Sequence, residues 1–156
     1  MTDQETLPEF LLAFPGPLRD RLVAAVLSGA KTSTTGLLAD YEHAGDPLPY
    51  VGERSRVIDS AGEAVAVIEV TGVRVLPLAE VDLQHVIDEG EGDESVAGWR
   101  AGHEGFWRSP EMLEALGDPS FEVTDATPVI ATRFRVVERL GRDRPGGPGP
   151  AEPPLA

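Results

Sequence analysis

The chemistry in this chain starts from a residue that is conspicuous by its type. Of the 13 basic residues, 12 are arginine and one, Lys31, is lysine. A chain with 17 Gly and 14 Pro has the composition a GC-rich genome produces, in which Arg displaces Lys. That accounts for the twelve arginines better than for the exception. Arginine is a permanently charged planar fork, whereas lysine is a point charge that can lose its proton when desolvated, so a position that needs an amine cannot drift to Arg. Behind Lys31 come the hydroxyls of Thr32, Ser33, Thr34 and Thr35. A hydroxyl nucleophile needs a base. No G-x-S-x-G elbow is present, and none of His43, His85 and His103 has the local context of a Ser-His pair, which leaves Lys31 as the nearest candidate in sequence.

A second group is acidic. Glu80, Asp82, Asp88, Glu89, Glu91, Asp93 and Glu94 occur without one basic residue between them. The run does not match the D-x-[DN]-x-[DN]-G calcium loop and reads first as a solvated, helix-capping loop. Gly90 and Gly92 permit positive φ, so the loop can fold over a pocket and aim one carboxylate inward. His103 has no second metal ligand four residues away on either side and reads as a histidine at the edge of the core. No metal and no cofactor is expected, although a metal-dependent site in the acidic run stays open to an EDTA test. Trp99 and Trp107 could stack on a nucleobase, but their helical spacing makes them core residues first.

The elements that must position these groups follow from periodicity and punctuation. Pro17 suits the first turn of a helix that carries Leu18, Leu22 and Val26 at spacing four and closes at Gly29. The β-branched stretch from Lys31 to Gly36 is then extended, so Lys31 lies where a helix hands over to a strand. Arg54 to Asp59 and Ala64 to Val75 form a hairpin around Ser60-Ala61-Gly62, with both faces of the second arm largely apolar. Glu69 and Arg74 mark where water or a partner reaches the sheet. Asp82 caps a short helix through about Asp88. Asp93 or Ser95 caps another that carries Val96, Trp99, His103, Phe106 and Trp107 on one stripe. Glu111 to Leu116 adds a turn of helix, and Pro128 to Arg139 is a final strand. Strands without βαβ alternation predict an α+β fold, a small mixed β-barrel flanked by short helices.

Composition bounds the rest. A chain of 156 residues suits one domain. Residues 1–6 read as a loose N-terminus, 7–140 as the domain, and 141–156, rich in Pro and Gly, as a disordered tail. The formal charge of −14 repels polyphosphate and argues against duplex DNA. No cysteine means no disulfide and no thiolate chemistry. No apolar run reaches the ~20 residues of a membrane span, and the start lacks a basic secretion-signal region, so no membrane association and a cytoplasmic location are expected.

Ser28-Gly29-Ala30-Lys31-Thr32-Ser33-Thr34-Thr35 after an amphipathic helix resembles the G-x-K-x-x-T signature of ASCH domains, small proteins with a PUA-like β-barrel. The likeness continues through Leu48-Pro49-Tyr50-Val51-Gly52-Glu53, Ile68-Glu69-Val70-Thr71, Glu89-Gly90-Glu91-Gly92-Asp93 with Trp99, Arg100 and His103 after it, and Arg133-Phe134-Arg135-Val136-Val137. The resemblance implies the larger bacterial branch of that family and a role on RNA or nucleosides. A smaller branch hydrolyses the amide of acetylated cytidine with a lysine, a threonine three residues on and a downstream glutamate. These fall on Lys31, Thr34 and Glu89, with Glu91 the alternative acid; that branch has arginine where this chain has Gly36. Thr32, Thr35, Arg54, Arg56, Glu69, Glu91, Trp99, Arg100 and His103 are the expected substrate contacts.

Two readings result. The first is a hydrolase acting on a modified nucleoside, such as an acylated cytidine-like amide, or on a short RNA segment. Lys31 then either accepts a proton from Thr34 or, as a cation, steadies an oxyanion. The second is a non-catalytic module that binds single-stranded RNA or a nucleotide, with Lys31 and nearby arginines such as Arg54, Arg56 or Arg100 on phosphate. The expected assembly is a monomer or weak dimer.

Overall fold

The computed structural model describes residues 7–140, so the readings for 1–6 and 141–156 lie outside the described residues. In chain order the elements are β1 (Glu9–Phe10), α1 (Pro17–Ser28), β2 (Ser33–Leu37), α2 (Leu38–Ala44), β3 (Arg54–Ile58), β4 (Ala64–Pro77), α3 (Leu83–Asp88), α4 (Val96–Trp107), α5 (Pro110–Leu116) and β5 (Pro128–Arg139). The fold is α+β: a five-stranded mixed sheet in the order β1-β3-β4-β5-β2, with helices packed on it. Only β1 and β3 run parallel. The sheet is open, with no ladder between its edge strands β1 and β2 among the described residues. Register shifts at Val57/Ile58, Val67/Ile68 and Val70/Gly72 bend the long β4 and its neighbours toward a barrel-like curl.

The punctuation works as the residues dictate. Gly29 at φ 89 turns the chain out of α1, and the N–H of Lys31 returns to the Ala25 carbonyl at 3.0 Å. Asp82, Ser95 and Ser109 each accept a backbone N–H at the start of α3, α4 and α5. Two elements escape the sequence signals. β1 has only two residues, and α2 starts from Leu37, which offers no capping oxygen.

Two apolar clusters form rather than one. Val23 and Val26 of α1 pack with Val57, Ala66, Ile68 and Phe134. Trp99, Trp107, Met112 and Leu116 pack with Leu37, Val86 and Val129. Glu69 and Arg74, expected as points of access, carry ion pairs: Glu69 with Arg54 and Arg135, Arg74 with Asp82. No helix among the described residues is long and apolar enough to cross a membrane.

Candidate active site

The polar centre is built where β2 is stapled to the last turn of α3. The Thr32 N–H donates to the Asp88 carbonyl at 2.7 Å, and the Ser33 hydroxyl donates to the His85 carbonyl at 3.1 Å. The first satisfies a carbonyl of the helix end, and the second adds to the Glu89 N–H that the His85 carbonyl already accepts. Arg133 of β5 pairs with the Asp88 carboxylate on the same side. The chain then leaves α3 through Gly90 at φ 68, where an added Cβ would lie 2.2 Å from the Ala30 carbonyl oxygen. Only glycine fits so close to that backbone. The close passage brings Glu89 and Glu91 to either side of Gly90 and around the Lys31 amine.

Lys31 and Glu89 are both buried, 1% and 0% exposed. Lys31 Nζ lies 3.5 Å from Glu89 Oε1, 3.3 Å from the Glu89 carbonyl and 3.1 Å from Glu91 Oε2. The Thr35 hydroxyl donates to Glu89 Oε2 at 2.5 Å, which leaves its oxygen to accept from His85 Nε2 at 2.7 Å. His103 Nε2 faces Glu89 Oε1 at 3.2 Å, off the ideal hydrogen-bond line, while Nδ1 meets the Trp99 carbonyl at 3.0 Å. A carbonyl only accepts, so Nδ1 carries a hydrogen, and the carboxylate facing Nε2 favours a second one, which would make the ring a cation. The ring stacks on Trp99 (centroids 4.3 Å) and meets Trp107 edge-on (5.4 Å), two π systems that favour that cation.

Electrostatics follow from this geometry. Burial alone would raise the Glu89 carboxyl, but the facing His103 and His85 nitrogens and the charge of Lys31 outweigh it and hold Glu89 well below the ordinary carboxylate range. Burial opposes the charge on His103, yet Glu89 and Glu91 raise it above the usual imidazole value. Burial also raises Glu91, helped by the neighbouring Glu89 and resisted by Lys31. Glu89, Glu91 and His103 place one ligand atom each within 4.8 Å of one another, a set that could hold a divalent cation. Lys31 Nζ already supplies positive charge between the two carboxylates.

A cavity of about 1210 Å³ opens onto this centre, and Lys31, Thr34, Thr35, Glu91 and His103 line it. Glu89 does not; it sits behind them. The Thr34 hydroxyl has no hydrogen-bond partner among the described residues, whereas that of Thr35 is committed to Glu89 and His85. Of the expected substrate contacts, Thr32 is tied to Asp88 and Trp99 is buried beneath His103. Arg54, Arg56 and Glu69 pair on the sheet, and Arg100 binds Glu104 and Asp125; none of these four lines the cavity. Sequence reasoning weighed His85 only as a base for a hydroxyl and set it aside. Its spacing of four from Glu89 on one helix was the available signal, and the structure makes it a fully buried partner of that acid.

The family model of the ASCH domain matches residues 11–138. The chain belongs to the ASCH domain family. Among solved structures, an ASCH domain from Lactobacillus crispatus JV V101 is 25% identical, with TM-score 0.68 over 86% of this chain and 84% of that one. A protein from Enterococcus faecalis V583 shares the fold at TM-score 0.74 and 23% identity, over 87% of this chain and 80% of the other. No curated protein matches the sequence. The matched span runs from the loop before α1 almost to the end of β5, so it takes in Lys31, the hydroxyl run and the Glu89 loop of this ASCH domain.

Proposed function

We propose that this ASCH domain hydrolyses the amide of an N-acylated pyrimidine nucleoside, of the acylated cytidine type. The observation that carries the reading is the pairing, on one cavity, of a buried Lys31 held by two carboxylates with a Thr34 hydroxyl that has no other partner. The Thr34 oxygen adds to the amide carbonyl carbon while its proton passes to Glu91, the acid that lines the cavity. Lys31, held among carboxylates, acts as the cation that steadies the developing oxyanion. Collapse breaks the C–N bond, and the amine leaves with the proton from Glu91. Water then cleaves the threonine ester, releasing the carboxylic acid and restoring the hydroxyl. Glu89, held by the Thr35 hydroxyl and flanked by His85 and His103, positions Lys31.

The second reading, an RNA- or nucleotide-binding module, relied on Lys31 together with three arginines, Arg54, Arg56 and Arg100. All three are paired with acids away from the cavity, and the charge of −14 also favours a small substrate over a long polyanion. The test is incubation with acylated nucleosides and a structured RNA, with products read by mass spectrometry. Deacylated nucleoside, free acid and intact RNA are expected. No deacylation, with RNA binding that weakens steeply as salt rises, would replace this reading by the second.

A further inference from the structure

The cavity is larger than an acetyl nucleoside needs. Its volume of about 1210 Å³ exceeds the ~300–1,000 Å³ of ordinary ligand pockets. It lies between the two apolar clusters and takes wall residues from both, including Leu12 and Leu22 from one and Leu37 and Met112 from the other. Its charged residues are those of the Lys31 centre together with Arg19 and Arg21 of α1, Asp40 of α2 and Asp93. Much of the remaining wall is Leu11, Phe14, Leu18, Leu22, Phe106 and Met112.

The loop carrying Leu11 and Phe14 is fixed at some cost. Arg19 of α1, only 5% exposed, donates through Nε to the Leu12 carbonyl at 3.0 Å and through Nη2 to the Ala13 carbonyl at 2.7 Å. Between these anchors Ala13 takes φ 60, a left-handed conformation that side chains disfavour. Such strain persists where the surroundings over-determine it, and functional sites are where it gathers. Here it sets Phe14 against Phe106 of α4, with ring centroids 5.7 Å apart, while Phe14 stays 39% exposed.

We infer that this apolar part of the cavity is an acyl subsite, so that the preferred substrate carries a medium-chain fatty acyl group on its amide rather than acetyl. The inference rests on the hydrolase reading above. Against Leu11, Phe14, Leu18 and Phe106 the nucleoside half fits poorly, because ribose hydroxyls need polar partners that these side chains do not offer. An alkyl chain needs none.

Two measurements on the full chain separate this inference from the reading beneath it. Rates of cleavage are compared for N4-acetyl- and N4-octanoylcytidine, and calorimetric binding for N4-ethyl- and N4-octylcytidine, which have no amide to hydrolyse. Each methylene buried gains roughly fourfold, so octanoyl should exceed acetyl tenfold or more in kcat/KM and octyl should bind more tightly than ethyl. Phe14→Ser and Leu18→Ser should each shrink both ratios several-fold while the melting transition shows a folded protein. Tighter octyl binding with no acyl compound cleaved would sustain the subsite and end the hydrolase reading. Cleavage of acetyl as fast as octanoyl, with equal binding of ethyl and octyl, would overturn the subsite and leave the hydrolase. A chain that sediments as a dimer, becomes a monomer on Phe14→Ser and shows no chain-length preference would assign these residues to a second copy and also overturn it.

Discussion

Two of the ion-pair networks, one on the sheet and one at the end of α3, each centre on a glutamate between two basic groups and differ in the water around them. On the sheet, Arg54 and Arg135 flank Glu69 at 3.0 and 3.5 Å, with the arginine side chains 53% and 61% exposed. At the end of α3, Lys31 and His103 flank Glu89 at 3.5 and 3.2 Å, with Lys31 and Glu89 side chains at 1%. Distances are alike; dielectric surroundings are not. Solvent screens the first set, so its partners are nearly independent. In the second, each charge is tolerated only because the others are present, which makes the cluster costly to break and able to act on a substrate that displaces water. The difference teaches that charge pairing alone does not mark a site here; burial beside a cavity does.

Removing a partner from the buried network should give the largest effect. Lys31→Met leaves Glu89 facing two histidines without its ammonium, and breaking a buried pair in this way costs about 3–5 kcal/mol. Urea denaturation should show that loss together with a fall in activity of about 100-fold or more. Lys31→Arg keeps the charge but brings a longer, forked head into a site closed by Gly90 and Ala30, and should lose activity to a similar degree. Variants that keep wild-type stability would mean the cluster is no more coupled than the sheet arginines.

Thr35→Val and Thr34→Val sharpen the contrast within one strand. The first removes the hydroxyl between Glu89 and His85 and should cost about 1–3 kcal/mol, the penalty for leaving buried polar atoms without a partner. The second removes a hydroxyl with no partner and should leave the melting temperature in place. Equal stability losses would contradict the roles the geometry gives them.

Titration supplies a third test. Folded His103 holds its proton above the unfolded value of 6.5, so the native state binds more protons than the unfolded one from that point upward. Its contribution is complete below 6.5 and declines as pH rises through the raised folded value. Glu91, also raised, acts with the same sign from 4.5 upward. Glu89, held low, contributes above 4.5 and loses its contribution as pH falls toward its folded value. Stability measured against pH should therefore decline on both sides of the interval between about 4.5 and 6.5 on account of these groups, and His103→Gln should flatten the alkaline side. An unchanged alkaline limb in His103→Gln would detach that histidine from the cluster. Arg54→Ala sets the lower bound of the series. On the exposed network it should leave the denaturation midpoint unchanged within error, and a shift comparable to Lys31→Met would erase the distinction drawn here.

Much of this arrangement is readable from local chemistry. Pro17 and Gly29 bound α1, the β-branched run after Lys31 makes β2, and Asp82 and Ser95 start their helices, because each signal acts within a few residues. Gly90 and Gly92 do adopt positive φ, as their spacing among acids suggests. What stays illegible depends on long-range packing. The two-residue β1 exists only through β3, α2 lacks a side-chain cap at its N-terminus, and His103 meets Glu89 because α4 folds back over α3. The side on which each threonine of β2 presents its hydroxyl is set by the pairing of that strand with β5, which begins 91 positions after Leu37 in the sequence.

The central claim, that the Thr34 hydroxyl does chemistry on the cavity it shares with a Lys31 held by Glu89 and Glu91, is tested most directly by following one bond. Wild type and Thr34→Val are mixed with an N4-acylcytidine, acid-quenched at intervals, and analysed by intact-protein and fragment mass spectrometry alongside cytidine release. The account predicts release of cytidine by wild type, with any mass gain equal to the acyl group located on Thr34, and release by Thr34→Val slower by about 100-fold or more at equal melting temperature. Release by Thr34→Val at the wild-type rate would contradict it.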